Sequence, residues 1–391
     1  MNIENISIIG FFIIVATLIY LDRKNVEIKY GIVIRKTKRG LKLIERLAKE
    51  KRDLLIKVGN FAIIVGLVVS VYGVFLLVSS TVNLILHPTK AMPAVKLIFP
   101  QPSGVKFPSF IQGIPFWYWL IAIFLVVSVH EPMHALFAKV EGIKVKELGI
   151  FLLGVIPLGA FANPDEEQLK KKPWLSKLRV YVAGSFGNFI LALIVLGMLI
   201  SSSFLLDKLM KPSGVGYERV IEGSPAFNAS LEGEIIRINN TNIRTLSDLR
   251  DVLLNSSPGS VLEIETTKGV FLIKTVEHPD VKNVSFIGIS NPRTVFVWSM
   301  TGGRVKEVYL NIIGWFLSLF GWLFAINLGV GIVNLFPLKP LDGGLIIEEI
   351  LRRFCGEKIS SYLINTISWV ILSLILINLF GPSVASRLFG S

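Results

Sequence analysis

The chain has one cysteine, Cys355, in 391 residues. That excludes an intrachain disulfide framework and any zinc cluster built from cysteines. Charge is also scarce: Asp, Glu, Lys and Arg make up 18% of the residues, against 52% hydrophobic ones. A soluble domain usually carries about 25% charged residues, so the deficit points to a membrane protein. No internal repeat is visible, which counts against a transporter built from two similar halves. Acidic residues are the scarcer sign, 28 against 41 Lys and Arg, giving a formal charge of +13. Only four histidines are present, and two of them share one short apolar run.

Mostly apolar runs suited to a hydrocarbon core of about 30 Å occur at Ile6–Leu21, Val58–Leu86, Phe116–Phe137, Val180–Leu206, Val308–Phe336 and Ile359–Phe380. No small-residue cleavage pattern follows the first, and a basic segment does, so it reads as a retained span. Thirteen Lys and Arg lie between Arg23 and Lys57, and Lys139–Arg179 is basic as well. Segment Pro88–Ile114 carries only Lys90, Lys96 and Lys106. The positive-inside rule therefore predicts a multi-pass protein of the cell membrane with both basic segments cytoplasmic and the stretch after Asp207 outside. It accounts for the net charge with a lipid bilayer as partner and no nucleic acid.

From about Ser213 to Pro292 the chain is polar, with strand-like "EIIRIN", "VLEIETT" and "GVFLIKTVE" around a helix-like "TLSDLRDVLLNS". Thr245 and Asp248 form a variant of the capping box at that helix. The stretch Gly149–Glu167 is apolar but too short to span, and its Gly and Pro residues predict a re-entrant loop or hairpin. Asn25–Ile34 reads as strands. The expected fold class is an all-α polytopic membrane protein of about six transmembrane helices, with a short re-entrant or β element and an inserted small α/β domain. Residues 1–57 form an N-terminal helix and basic segment. Residues 58–206 and 305–391 form the two halves of a membrane core around the insert at 207–304.

In "HEPMH" the histidines His130 and His134 are four apart, so on a helix they face one way and can share a metal ion. Glu131 is placed to act as a general base toward water rather than as a ligand. Two buried structural histidines are the bland alternative, and an ionisable pair inside a span is expensive without a function. A catalytic zinc needs a third protein ligand. In "NLFPLKPLDGG", Asn334–Gly344, two prolines end the helix and leave Asp342 on a turn near the interface. A solvated aspartate on a Pro/Gly turn is the alternative there.

These motifs, with "AGSFGN" at Ala183–Asn188 in the fourth span, make the chain resemble the site-2 protease family of intramembrane zinc metalloproteases. The insert is similar to a PDZ domain through Gly214–Ile243 and "PGS" at Pro258–Ser260. The resemblance implies one Zn²⁺ held by His130, His134 and Asp342, with Glu131 as catalytic base. It implies substrate-binding roles for Asn188 and Asn334, and an active site toward the cytoplasm. It further implies an extracytoplasmic PDZ-like domain in which Gly214, Val215 and Gly216 could receive peptide C-termini. The partners would be transmembrane protein substrates, cleaved within their membrane segments. Two departures stand out: Ser185 replaces the usual proline after glycine, and Pro132 lies inside HExxH, where it removes a backbone donor and is expected to kink the helix. The rival function is a non-catalytic membrane peptide-binding relative with a vestigial metal site.

Overall fold

The computed structural model describes residues 3–88, 92–102, 105–279 and 281–389; Lys90 lies outside them. The chain forms two compact units, one running to Gly197 and resuming at Leu319, the other spanning Met198–Ser318. In the first unit, α1 (Ile3–Leu21) leads into the hairpin β1 (Val26–Lys29) and β2 (Ile32–Thr37), the short amphipathic α2 (Leu41–Glu50) and the long α3 (Arg52–Leu86). Two short strands, β3 (Leu97–Pro100) and β4 (Ile111–Ile114), pair in parallel before α4 (Phe116–Val140). A second hairpin, β5 (Val145–Leu153) and β6 (Ile156–Pro164), is followed by α5 (Glu166–Lys170) and α6 (Trp174–Leu209).

The two hairpins join into one antiparallel sheet of order β1-β2-β5-β6, with Ile32 opposite Leu153 and Thr37 opposite Leu148. The expected hairpin at 149–167 is thus half of a four-stranded sheet, and the membrane unit is less purely helical than its composition implied. Strand β6 is an edge. Helix α4 runs unbroken through Pro132. It stops where Gly142, at φ +69°, takes the left-handed conformation. There the Gly142 N–H donates to Lys139 O at 2.9 Å and the Ile143 N–H to Ala138 O at 2.8 Å, a Schellman cap that turns the chain into β5.

Helix α6 begins at Trp174, six residues before the expected Val180, and the cause is electrostatic. Lys177 and Arg179 are not solvated loop cations. Lys177 Nζ donates to Glu349 at 2.9 Å and Arg179 Nε to Glu141 at 2.6 Å, all four residues being buried. Paired this way, they extend the helix below its apolar run. Helix α3 reaches α6 through glycines spaced by seven: a Cβ on Gly59 would lie 2.7 Å from Arg179 Cδ and one on Gly66 2.5 Å from Val182 Cγ2.

The second unit carries β7 (Met210–Gly216), β8 (Arg219–Val220), α7 (Pro225–Asn228), β9 (Ile235–Ile238), β10 (Thr241–Asn242), α8 (Leu246–Asn255), β11 (Val261–Thr266) and β12 (Gly269–Lys274). The short β13 (Val276–Glu277), β14 (Ser285–Phe286) and β15 (Ile289–Ser290) precede β16 (Arg293–Trp298). Its main sheet runs β12-β11-β9-β7-β16, with β10 paired to β9. Alternate residues of β11, Leu262, Ile264 and Thr266, are buried, together with Val215, Ile235, Ile238 and Ile273. Gly214, Val215 and Gly216 sit inside β7, not on an open loop: they oppose Val295, Thr294 and Arg293 on one side, and Val215 opposes Ile235 on the other. A Cβ on Gly214 would come within 2.8 Å of the Ile235 carbonyl oxygen, so this glycine serves strand approach.

The chain re-enters the first unit along α9 (Glu307–Asn334), turns through Pro337 and Pro340, and continues as α10 (Asp342–Cys355) and α11 (Glu357–Phe389). Helices α1, α3, α4, α6, α9 and α11 are long and apolar enough to cross a membrane, in the same six places as the expected runs. Asn378 Nδ2 ties α11 to α3 through Leu77 O at 3.0 Å.

The capping box at α8 is complete: Asp248 N donates to Thr245 Oγ1 at 3.2 Å, and Thr245 N to Asp248 Oδ2 at 2.8 Å. Thr245→Ala should therefore destabilise α8 by about 1 kcal/mol. Hydrogen exchange across 246–255 in the full-length protein would show this as faster exchange there and no change in α4.

Candidate metal centre

His130 and His134 project from successive turns of α4, and the chain brings Asp342 to them from the first turn of α10. Proline explains the turn. Pro337 and Pro340 have no N–H to continue α9, and Gly343 and Gly344 follow because there is no room for a side chain. A Cβ on Gly344 would sit 2.6 Å from the Leu338 carbonyl carbon, and one on Gly343 would strike the Leu335 carbonyl. Asp342 is also at a helix N-terminus, where the backbone dipole favours a carboxylate.

The two Nε2 atoms are 3.1 Å apart, and each lies 3.4 Å from Asp342 Oδ2. Three donors bound tetrahedrally to one zinc at about 2.1 Å would be separated by about 3.4 Å. The spacing fits. Asp342 Oδ2 is buried without a hydrogen-bond partner, and a cation held by these residues would satisfy it. Two nitrogen donors and one carboxylate are a donor set that zinc accepts while leaving a fourth position open.

Both imidazoles are held from behind. His134 Nδ1 lies 2.7 Å from the Val180 carbonyl of α6, so Nδ1–H donates and the Nε2 lone pair remains for a metal. His130 Nδ1 lies 3.1 Å from the side-chain amide of Asn188, which is fully buried. An amide can present either atom. With its oxygen toward the ring it accepts from Nδ1–H, again leaving Nε2 to a metal. Gly184 makes the approach possible: a Cβ there would lie 2.6 Å from His130 Nε2 and closer still to His134 Nε2.

Glu131, half-buried beside the histidines, accepts a 2.8 Å hydrogen bond from the Ala162 N–H of β6 through Oε2. The base candidate is therefore fastened to the edge strand. Pro132 does not spread the histidines. Asn188 stands behind His130 rather than in an open cleft. Asn334, at the end of α9, lines an apolar cavity of about 530 Å³ with Gly73 and Val330, and no hydrogen bond joins it to the triad among the described residues. The Val180 carbonyl and Ala162 N–H had no sequence signal, being backbone groups. Gly184 had one, a glycine inside an apolar helical run.

An HExxH helix whose histidines meet a distant carboxylate is the centre of a metallohydrolase. The model of "Peptidase family M50" matches residues 118–378, a stretch that includes His130, Glu131, His134, Asn188 and Asp342. The chain belongs to this family, that of the site-2 proteases, and is a multi-pass membrane protein. An uncharacterized protein of Methanocaldococcus jannaschii is 28% identical over 97% of this chain and 100% of its own length. A Clostridium perfringens protein named "Putative zinc metalloprotease" is 25% identical over 65% of this chain and 93% of its own. The membrane-bound transcription factor site-2 protease homolog of Arabidopsis thaliana is 34% identical over 30% of this chain and 23% of its own.

Gly184→Ala should drive a methyl against both Nε2 atoms and weaken zinc binding by about tenfold or more. Asn188→Ala should weaken it by about 10- to 100-fold through loss of the partner at His130 Nδ1. Competition with a chromophoric chelator measures both, and wild-type affinity in either variant would contradict the geometry described.

Proposed function

We propose that the protein is an intramembrane zinc metalloprotease, with one zinc per chain, that hydrolyses peptide bonds in the transmembrane segments of membrane-anchored proteins. The observation that carries this reading is the convergence of His130, His134 and Asp342 with Glu131 adjacent, on helices long enough to span a bilayer. Zinc bound there would supply Lewis-acid polarisation of the scissile carbonyl and acidify water at neutral pH. Glu131 takes the proton from the attacking water and hands it to the leaving amine nitrogen. Its bond to Ala162 holds one carboxylate oxygen and leaves the other for this exchange.

A transmembrane helix hides its carbonyls in its own hydrogen bonds, so a substrate must unwind before attack, and in hydrocarbon the freed groups need partners. Strand β6 is an edge that ends beside Glu131, so an unwound segment can pair with it. Asn334, exposed to an apolar cavity, is assigned to the substrate and Asn188 to His130. The basic segments Arg23–Lys57 and Lys139–Arg179 support a centre toward the cytoplasm, with the stretch 207–304 extracytoplasmic. The insert is read as PDZ-like from its motif, and no peptide role is assigned to Gly214, Val215 and Gly216, whose backbone is used within the sheet.

Glu131→Gln keeps the size and the Ala162 acceptor but removes the base. Cleavage of a membrane-embedded test substrate by the reconstituted enzyme should fall by about 10²- to 10⁴-fold, with zinc content unchanged. Turnover near the wild-type rate would remove Glu131 from the reaction.

A further inference from the structure

Two cavities of opposite character meet at one residue near the end of α1. The larger, about 1020 Å³, lies between α1, α4 and the sheet, and is lined by apolar groups such as Val15, Leu18, Val33, Leu120, Phe124 and Ile150. Its polar boundary is the ion pair of Asp22 and Arg35. Arg35 also lines a second cavity of about 510 Å³, whose wall contains Lys36, Lys38, Arg39 and Lys42 and no carboxylate. Arg35 is paired with Asp22, and Lys36 with Glu27 and Glu147. Lys38, Arg39 and Lys42 make no ion pair among the described residues.

We propose that this pair of cavities binds one anionic phospholipid, with its phosphate among Lys36, Lys38, Arg39 and Lys42 and its acyl chains in the apolar cavity below Arg35. The positive-inside rule explains why cations are numerous in this segment. It does not explain why five of them surround a concavity directly against an apolar hollow. The basic cavity begins just past Leu21, where α1 ends, and so lies at headgroup depth when α1 spans the bilayer. A phosphate there would pair with Lys38, Arg39 and Lys42, which make no ion pair among the described residues. A substrate helix in the larger cavity would leave the cations unmatched. The lipid reading does not depend on proteolysis.

The test uses the full-length protein in a neutral detergent and native mass spectrometry, with dioleoylphosphatidylglycerol and dioleoylphosphatidylcholine as probes. One molecule of phosphatidylglycerol should be retained, about tenfold more tightly than phosphatidylcholine. The triple variant Lys38→Gln, Arg39→Gln, Lys42→Gln should lose that advantage, binding phosphatidylglycerol about tenfold more weakly and no better than phosphatidylcholine, whose retention is little changed. Val15→Trp, which intrudes on the apolar cavity, should weaken both lipids while zinc content holds. Equal retention of the two lipids, or an unaltered triple variant, would overturn the proposal. So would displacement of the lipid by millimolar inorganic phosphate, which makes the site one for free anions, or by an apolar transmembrane peptide, which makes it one for a helix.

Discussion

Three ionisable side chains gathered in an apolar unit must each have their polar atoms satisfied, because an isolated charge or unpaired donor in a low dielectric costs several kcal/mol. The centre meets that demand from two directions. Behind the imidazoles, the Val180 carbonyl and the Asn188 amide occupy the Nδ1 atoms. In front, the two Nε2 atoms and Asp342 Oδ2 are left facing one another at 3.1 to 3.4 Å, an arrangement that a divalent cation resolves. The glycines of α6 set this distance. Gly184 faces the imidazoles, and Gly187 faces Met133, where a Cβ would lie 2.6 Å from Cγ. The helix surface is flat where the histidine helix must lie close.

The same constraint shapes the surroundings. Lys177, Arg179, Glu141 and Glu349 are buried charges too, and each is paired. Removing one partner of such a pair typically costs about 3–5 kcal/mol. Burial opposes ionisation of Glu141, but the Arg179 guanidinium and the Ser176 hydroxyl hold its carboxyl below the ordinary range. These pairs fix the start of α6, and through it the positions of Val180, Gly184 and Asn188. On the other side of α4, the Schellman cap at Gly142 sends the chain into β5 and β6, and the return strand delivers the Ala162 N–H to Glu131. The two histidines, Glu131 and the edge strand are thus placed by α4 and its C-terminal exit, and Asp342 by the turn into α10.

Much of this was legible because long apolar runs and short motifs report on local structure. The six spans follow from length and composition, the histidine pair from its four-residue spacing, and α8 from Thr245 and Asp248. What escaped is non-local. The strands of 26–37 and the hairpin of 145–164 each had a local signature, but their union into one sheet depends on long-range pairing, Ile32 with Leu153 among others. Lys177 and Arg179 read as loop charges because their partners, Glu349 and Glu141, are distant in sequence. Gly214–Gly216 had the composition of a ligand loop and proved to be a strand, since close approach to β9 and an anion-binding loop demand the same small residues. Pro132 suggested a disturbed helix, yet α4 is continuous and the histidines converge.

His130, His134 and Asp342 bring two imidazoles and one carboxylate within reach of a single metal ion. X-ray absorption at the zinc edge on the purified full-length protein tests it most directly. The expected result is one zinc per chain in a shell of nitrogen and oxygen only, at about 2.0–2.2 Å, with the outer scattering of two imidazoles. A sulfur shell, which would implicate Cys355, or a chain that takes up no zinc when supplied with it, would show that these three residues do not hold the metal.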